Sequence, residues 1–441
     1  MIIPPHLARL PAPSLDAIAL SDKLSVSIAQ EIDAAGGFIS FARYMKMALY
    51  APGLGYYSAG SHKLGESGDF ITAPEMSLLF AQCIARQLAQ LHGEGLDSIL
   101  EIGAGSGALA ADLLQEMNAL GCAPENYLIL ELSGDLRERQ KATIAQRAPA
   151  LINRVHWLEV LPTQFEGVIL ANEVLDATPA HRVCVTASGI EEMVVGLASP
   201  SHFNAALHEE GRAGYQRNPL APLAGRGGFT EEMSEHLSSN ENKDHSSSEQ
   251  ETICFSVQSR RATDALQDAA TKLDLPPTYQ TEINLTARAL VTSLSRLLTR
   301  GLMLFIDYGF PARELYHPQR SSGTLMCHYR HHAHDDPFAL VGLQDITTHV
   351  DFSAVAAAAL QGGAEVLGYA TQAQFLINCG ITELLSATPA SDARAYAPLA
   401  AQAQKLLSPA EMGELFKVIA LGKNFDAPLL GYSRGDKSHT L

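Results

Sequence analysis

Between about residues 97 and 175, short and almost wholly apolar runs alternate with stretches whose apolar residues recur every three or four positions. The first pattern is that of strands buried on both faces and the second that of helices packed against them. Ser98–Ile102, 126–132 and the run from Gly167 predict strands; Leu109, Leu113 and Leu114 give one helix its buried face, and 134–147 forms another. Strand and helix in alternation predict an α/β fold with a doubly wound, mostly parallel sheet. Beyond 181 the period changes. Segments 182–186 and 191–197 read as paired strands around an Ala-Ser-Gly turn, and 238–251, rich in Ser, Asn, Asp and Glu, reads as a mobile linker. An amphipathic helix is predicted over 280–300, with Leu290, Leu294, Leu297 and Leu298 on one face and Gly301 ending it, before a buried strand at 302–306. Residues 22–92 read as mainly helical, with a turn at 52–55, a loop at 60–68 and a helix at 76–92; 352–421 reads as helices around a strand at 364–369.

The turn after the first strand carries the most chemistry. Gly103, Gly105 and Gly107 remove side chains where backbone must lie against an adenosine, and a helix opens directly behind them. Gly103, Gly105 and Ala108 also satisfy a dinucleotide pattern, so an NAD-dependent oxidoreductase is the rival reading. Glu101 favours S-adenosylmethionine, because an acid before the first glycine attracts that cofactor's cationic methionine end and opposes a pyrophosphate. Glu131, at the end of the next strand, is placed to accept both ribose hydroxyls, or else to stabilise the helix that follows. In an open α/β sheet ligands bind beyond the carboxyl ends of the strands, which brings Asn172, Glu173 and Asp176 to the same crevice. Asn172 joins the cofactor set. Glu173 and Asp176 could grip a guanidinium through paired, charge-assisted hydrogen bonds and aim one nitrogen at a sulfonium methyl; the plainer reading is a capped turn with solvated acids. Asp307 falls at the end of another strand on the same edge, and Glu282 is either a cap-region acid or a substrate contact. Thr72, Pro74 and Glu75 suit the start of the helix at 76–92.

Several ordered motifs resemble the MidA-type methyltransferases: Gly68-Asp-Phe-Ile-Thr-Ala-Pro-Glu75, Asn172-Glu-Val-Leu-Asp-Ala-Thr-Pro179, Ile306-Asp-Tyr-Gly309 and His349-Val-Asp-Phe352, with further stretches from Gly37 to Phe416. That family includes bacterial proteins and a mitochondrial complex I assembly factor that methylates an arginine of a complex I subunit. The resemblance implies a Rossmann-like class I methyltransferase sheet and an S-adenosylmethionine-dependent protein arginine methyltransferase. It places Gly103, Gly105, Gly107 and Glu131 at the cofactor, and Asp69, Thr72 and Glu75 on a lid segment at the substrate entrance. The chain departs from the mitochondrial pattern at Val174 and Leu175, which replace aromatic residues. The implied organisation is an N-terminal helical segment and lid (1–96), the first part of the core (97–180), an inserted substrate or cap subdomain (181–280), the rest of the core (281–425) and a flexible tail (426–441). An assembly chaperone that binds the cofactor only for stability is the remaining alternative.

Composition narrows the partners. The 441 residues carry a formal charge of −17, which disfavours nucleic acid and suits a basic, arginine-bearing protein substrate. No run of about 18 apolar residues offers a membrane span. The six cysteines lie far apart without a C-x-x-C pair, and the N-terminus lacks a secretory pattern; together these predict reduced thiols in a cytoplasmic protein, with a homodimer as an admissible assembly. The stretch from His328 to Asp336 has metal-ligand chemistry but no zinc spacing, so it is read as a loop over the substrate cleft, with no metal.

Overall fold

The computed structural model describes residues 7, 9–59, 72–198 and 253–441. Asp69 and the linker predicted at 238–251 lie outside them. An N-terminal pair of helices, Leu15–Ala34 and Phe41–Tyr50, flanks the short strand β1 (Phe38–Ser40). The core then runs β2 (Ser98–Ile102), β3 (Asn126–Leu130), β4 (Val155–Leu158) and β5 (Phe165–Asn172), with helices Ala108–Ala119 and Gly134–Arg147 in the crossovers. An antiparallel unit follows: β6 (His181–Thr186), β7 (Gly189–Leu197), β8 (Phe255–Arg261) and β9 (Gln280–Ile283). The chain returns to the core as the helix Leu285–Leu297 and β10 (Leu298–Phe310), adds β11 (Met326–Tyr329), β12 (His332–His334), β13 (Asp345–Thr347) and β14 (Val350–Asp351), and ends with β15 (Glu365–Thr371) and β16 (Phe416–Lys423).

The central sheet has the order β15-β16-β10-β5-β2-β3-β4, with β14 beside the end of β10. Strands β4, β3, β2, β5 and β10 are parallel, whereas β16 runs antiparallel to both β10 and β15. Its two faces carry separate apolar clusters, one with the helices Leu78–Gly93 and Ala108–Ala119, the other with Leu285–Leu297 and Phe352–Gln361. This is the doubly wound arrangement, and it leaves the carboxyl ends of the parallel strands on one open edge. A third cluster joins the N-terminal helices to Val195 of β7, Cys327 of β11 and Ile346 of β13, forming a roof over that edge.

Three readings are corrected. The helix predicted over 280–300 is a strand, a helix and the start of a second strand: Asn284 caps Leu285–Leu297 by accepting from the Ala287 N–H at 2.8 Å, Glu282 sits in β9, and Gly301 belongs to β10. Residues 416–421 are not helical but form β16, a buried strand at the heart of the sheet. The tail at 426–441 is tied down: Tyr432 is buried against Phe375, the Gly431 N–H donates to Gln87 at 2.8 Å and the Lys437 N–H to the Tyr369 carbonyl at 2.7 Å.

Candidate active site

Backbone geometry makes the glycine turn. Gly103, Gly105 and Gly107 have φ of 66°, 54° and 82°, left-handed values that disfavour a side chain. A Cβ on Gly107 would lie 2.9 Å from the Cα of Gln140, and one on Gly103 would lie 3.2 Å from Val174 Cγ2, so the turn is closed from both sides by protein. Gln140 is fully buried and braces the site. Its amide donates at 3.0 Å to both the Gly105 carbonyl and Glu131 Oε2, while its oxygen accepts from the Trp157 indole at 2.9 Å. Glu131 Oε1 accepts from the Ser133 N–H at 2.9 Å, and burial raises this carboxyl above its ordinary range. Glu101 is buried, accepts from the Tyr127 hydroxyl at 2.8 Å and is pushed up to about 7, chiefly by burial.

The edge opens into a cavity of about 1920 Å³ lined by Glu101, Gly103, Gly105, Glu131, Asn172, Glu173 and Asp176 among others. Thr72 and Glu75 line it as well. Glu75, on the short helix Ala73–Met76, accepts a hydrogen bond from Ser106 of the glycine turn, which places it on the cofactor side of the cavity. Thr72 stands at the N-cap of that short helix without a side-chain cap bond; the longer helix, Leu78–Gly93, is capped by Ser77 instead.

Beside the glycines, the chain after β5 turns sharply. Glu173 has a φ of 53° and its N–H donates to the Ile306 carbonyl at 2.8 Å, which fixes this non-glycine residue in a left-handed conformation. Asn172 donates to Glu173 Oε1 at 3.1 Å. Burial, then the charge of Asp176, pushes the Glu173 carboxyl up to about 8, and burial pushes Asp176 up to about 6. Asn172 Oδ1 and Asp176 Oδ1 are buried without a hydrogen-bond partner among the described residues. Such atoms are costly unless something satisfies them, so they mark where a ligand's donors belong.

Two predicted substrate contacts are turned elsewhere. Asp307 Oδ2 accepts from the N–H groups of Val174, Leu175 and Asp176 at 3.2, 2.9 and 3.3 Å, and Oδ1 accepts from Tyr308 N–H at 2.9 Å. Its acceptors are spent on holding the acidic loop. Glu282 Oε2 accepts from the Thr324 N–H at 2.7 Å, with Arg182 at 3.8 Å from Oε1; it fastens β9 to the 323–324 turn. Neither lines the cavity.

The roof supplies residues that sequence reading passed over. Tyr50 and Tyr57 stack at 5.4 Å; the Tyr50 hydroxyl donates to the Ala177 carbonyl and that of Tyr57 to Asp345 Oδ1, each at 2.9 Å. Both tyrosines, Asp345 and Tyr308 face the cavity. The stretch from His328 to Asp336 forms the β11–β12 hairpin, with His328, His331 and Ala333 on the cavity wall. Among the described residues no group of three or more His, Cys, Asp or Glu is arranged to hold a metal, and no helix is long and apolar enough to cross a membrane.

The residues present fit S-adenosylmethionine: a side-chain-free turn, a buried acid at the end of β3 for ribose hydroxyls, and the unsatisfied Asn172 Oδ1 for a cationic end. Comparison with known proteins agrees. Residues 79–370 match the profile of a family of S-adenosyl-L-methionine-dependent methyltransferases, which sets aside the oxidoreductase reading. A Burkholderia thailandensis protein whose crystal structure holds S-adenosyl-homocysteine is 44% identical and superposes with a TM-score of 0.83, over 98% of this chain and 100% of that one. Protein arginine methyltransferase NDUFAF7, mitochondrial, of mouse is 28% identical over 417 residues, covering 87% of this chain and 81% of the relative. The human protein of that name is 27% identical, covering 87% and 80%. These mitochondrial names overturn the cytoplasmic location expected from cysteine usage and the N-terminal pattern. The chain belongs to the MidA-type family of S-adenosyl-L-methionine-dependent methyltransferases.

Proposed function

We propose that this methyltransferase modifies an arginine of a protein substrate, with a respiratory-complex subunit as the class of partner, and that Glu173 and Asp176 hold the guanidinium. One observation carries the reading: a half-buried carboxyl, Glu173, and a buried one, Asp176, with an oxygen that has no partner among the described residues, line the same cavity as the glycine turn. A buried acid with a free oxygen calls for a cation with several donors, and a guanidinium satisfies two carboxyls at once. The names of the mouse and human relatives support arginine as the acceptor.

Gly103, Gly105, Gly107 and Glu131 take the adenosine, while Glu101 and Asn172 face the methionine end. When bound, S-adenosylmethionine supplies an electrophilic methyl carbon on a sulfonium. The chain's own part is positional and electrostatic. Glu173 and Asp176 draw the guanidinium charge away from one nitrogen, which attacks the methyl while the C–S electron pair leaves with sulfur. The proton that nitrogen sheds passes to Glu173, whose burial makes it basic enough to hold a proton near neutral pH. Tyr50, Tyr57 and Asp345 wall the guanidinium from water. The 1–96 and 181–280 segments serve as lid and cap in this scheme.

The test is labelled methyl transfer from S-adenosylmethionine into a lysate of cells lacking the protein, with the labelled site read by mass spectrometry. One methylated arginine supports the reading, and label on another residue type overturns it. No transfer by protein that binds S-adenosylhomocysteine tightly favours the non-catalytic assembly role. Glu173→Gln is expected to cut kcat by about a hundredfold or more and leave S-adenosylhomocysteine affinity within about threefold; a binding defect with normal kcat would count against its role.

A further inference from the structure

At the far side of Tyr308 from Asp176 the cavity changes sign. Tyr308 meets the His349 ring edge-on at 5.3 Å, and His349 meets Phe310 at 5.6 Å. Two cations then converge on Phe310: the Arg320 guanidinium lies 4.1 Å from its ring centre and Lys417 Nζ lies 4.8 Å. Among the described residues neither cation has a carboxylate within ion-pair distance. Arg320 donates to the backbone carbonyl of Glu314, and Lys417 to those of Glu414 and Leu415. Among the described residues the buried His349 Nδ1 has no hydrogen-bond partner. Lys417 is itself 5% exposed and stands behind the cavity wall; Glu414 and Glu314 offset its charge only through space, without an ion pair. The electrostatics agree: burial and the two neighbouring cations pull His349 down to about 4, and burial pulls Lys417 down to about 8.

Arg320 and His349 line the cavity, Arg320 with no carboxylate in ion-pair contact among the described residues and His349 with a buried nitrogen that is costly unless a ligand completes it. We propose that Arg320 and His349, with Lys417 adding positive charge from behind Phe310, form a carboxylate subsite, which takes an acidic group of the substrate close to the arginine held by Glu173 and Asp176. Resting on the arginine reading, the inference adds a sequence requirement to it. Asp176, Tyr308, His349, Phe310 and Arg320 follow one another across the cavity, and an extended chain advances about 3.3 Å per residue, so the acid falls within about five residues of the arginine. Along this path Glu173 and Asp176 attract the guanidinium and Arg320 repels it, so a substrate with the reverse pattern is disfavoured on both counts.

The experiment uses the full chain and arginine-centred peptides of neutral background, with Glu or Gln placed in turn at each of the five positions on either side. A parallel pair bears a free or an amidated C-terminus, which separates a side-chain carboxylate from a terminal one. Methyl transfer and calorimetric binding to the S-adenosylhomocysteine-loaded protein are both read. The expected result is one position where Glu raises kcat/KM over Gln by about tenfold through KM, with that ratio falling to about one in Arg320→Gln. His349→Gln, tested beside it, should reduce the ratio without changing S-adenosylhomocysteine affinity, which reports that the fold is intact. An equal Glu-to-Gln ratio in wild type and both variants overturns the subsite. If no peptide is methylated, binding decides: Glu-dependent affinity lost in Arg320→Gln upholds the subsite while the arginine reading fails, and binding indifferent to Glu overturns the subsite alone.

Discussion

Glu173 is held in a left-handed backbone conformation, half-buried beside Asp176, and keeps its proton up to about pH 8. A guanidinium favours the ionised form of both acids, so its binding must expel protons where Glu173 and Asp176 are still protonated. Affinity of an arginine peptide for the S-adenosylhomocysteine-loaded protein is therefore expected to rise with pH from about 6 to above 8. Calorimetry in buffers of different ionisation enthalpy should show proton release. The groups facing Glu173 are Asp176, Asp345, the Asn172 amide and the Ala73 N–H; the last two favour its charge but are outweighed by burial and the neighbouring acids, so the alkaline arm belongs to Glu173 and should vanish in Glu173→Gln. Stability runs the other way. A carboxyl whose pKa is raised by folding contributes stability below its unfolded value near 4.5, and that contribution is lost as pH rises through 8. Glu173→Gln should thus melt a few degrees above wild type at pH 9 and near it at pH 5; coincident melting at both would show that burial of this charge costs the apo protein little.

At the level of elements, β5 and β10 approach so closely at their start that Gly301 faces Gly167, both with positive φ of 126° and 139°. A Cβ on Gly301 would sit 2.0 Å from the Gly167 carbonyl oxygen, and one on Gly167 2.2 Å from that of Ser98. Backbone cannot retreat there without opening the sheet. Gly301→Ala is expected to cost roughly 3 kcal/mol or more, seen as a lower denaturation midpoint with little change in the slope. This glycine read as a helix end because its strand partner is remote in sequence. The parallel strands were legible for the opposite reason: Leu100, Ile129 and Ile169 are buried on both sides, and glycines or caps punctuate each run. β9 was not, since Gln-Thr-Glu-Ile is polar and runs straight into an amphipathic helix, and only the Asn284 cap marks the boundary. β16 failed for want of length, four apolar residues at 418–421 fitting a helix or a strand alike. At the site, residue type and strand end located Glu131, Glu173 and Asp176 at the cavity. The direction a side chain turns was invisible, so Asp307 and Glu282 looked like substrate contacts although the fold uses them to fasten loops. Tyr50 and Asp345 reach the cavity only through tertiary packing.

Among the described residues the roof keeps an apolar cluster apart from the two on the central sheet, and chain order conceals it. β1 pairs with β7 end to end with β6, so the N-terminal helices and the antiparallel sheet of the 181–283 region share one sheet. Their apolar cluster takes in Val195, Cys327 and Ile346 but none of the central sheet's strands, whose clusters lie on its own two faces. What ties roof to base beside the acids is polar: Tyr50 to Ala177, and the Thr348 N–H to the Asp176 carbonyl at 3.1 Å. Units with separate cores and a polar seam open separately. In the proposed arrangement the cofactor residues are concentrated in the base, and the guanidinium is bounded by both units. Hydrogen exchange should therefore respond in two steps. S-adenosylhomocysteine is expected to slow exchange at 103–107 and 131–140 and leave β1, β6 and β7 nearly unchanged. Adding an arginine peptide is expected to slow β1, β6 and β7 as well, because a ligand gripped by Glu173 and walled by Tyr50 stabilises the closed seam by its differential affinity. Protection of the roof by the cofactor alone would mean that the seam is already rigid and that specificity is set before the substrate arrives.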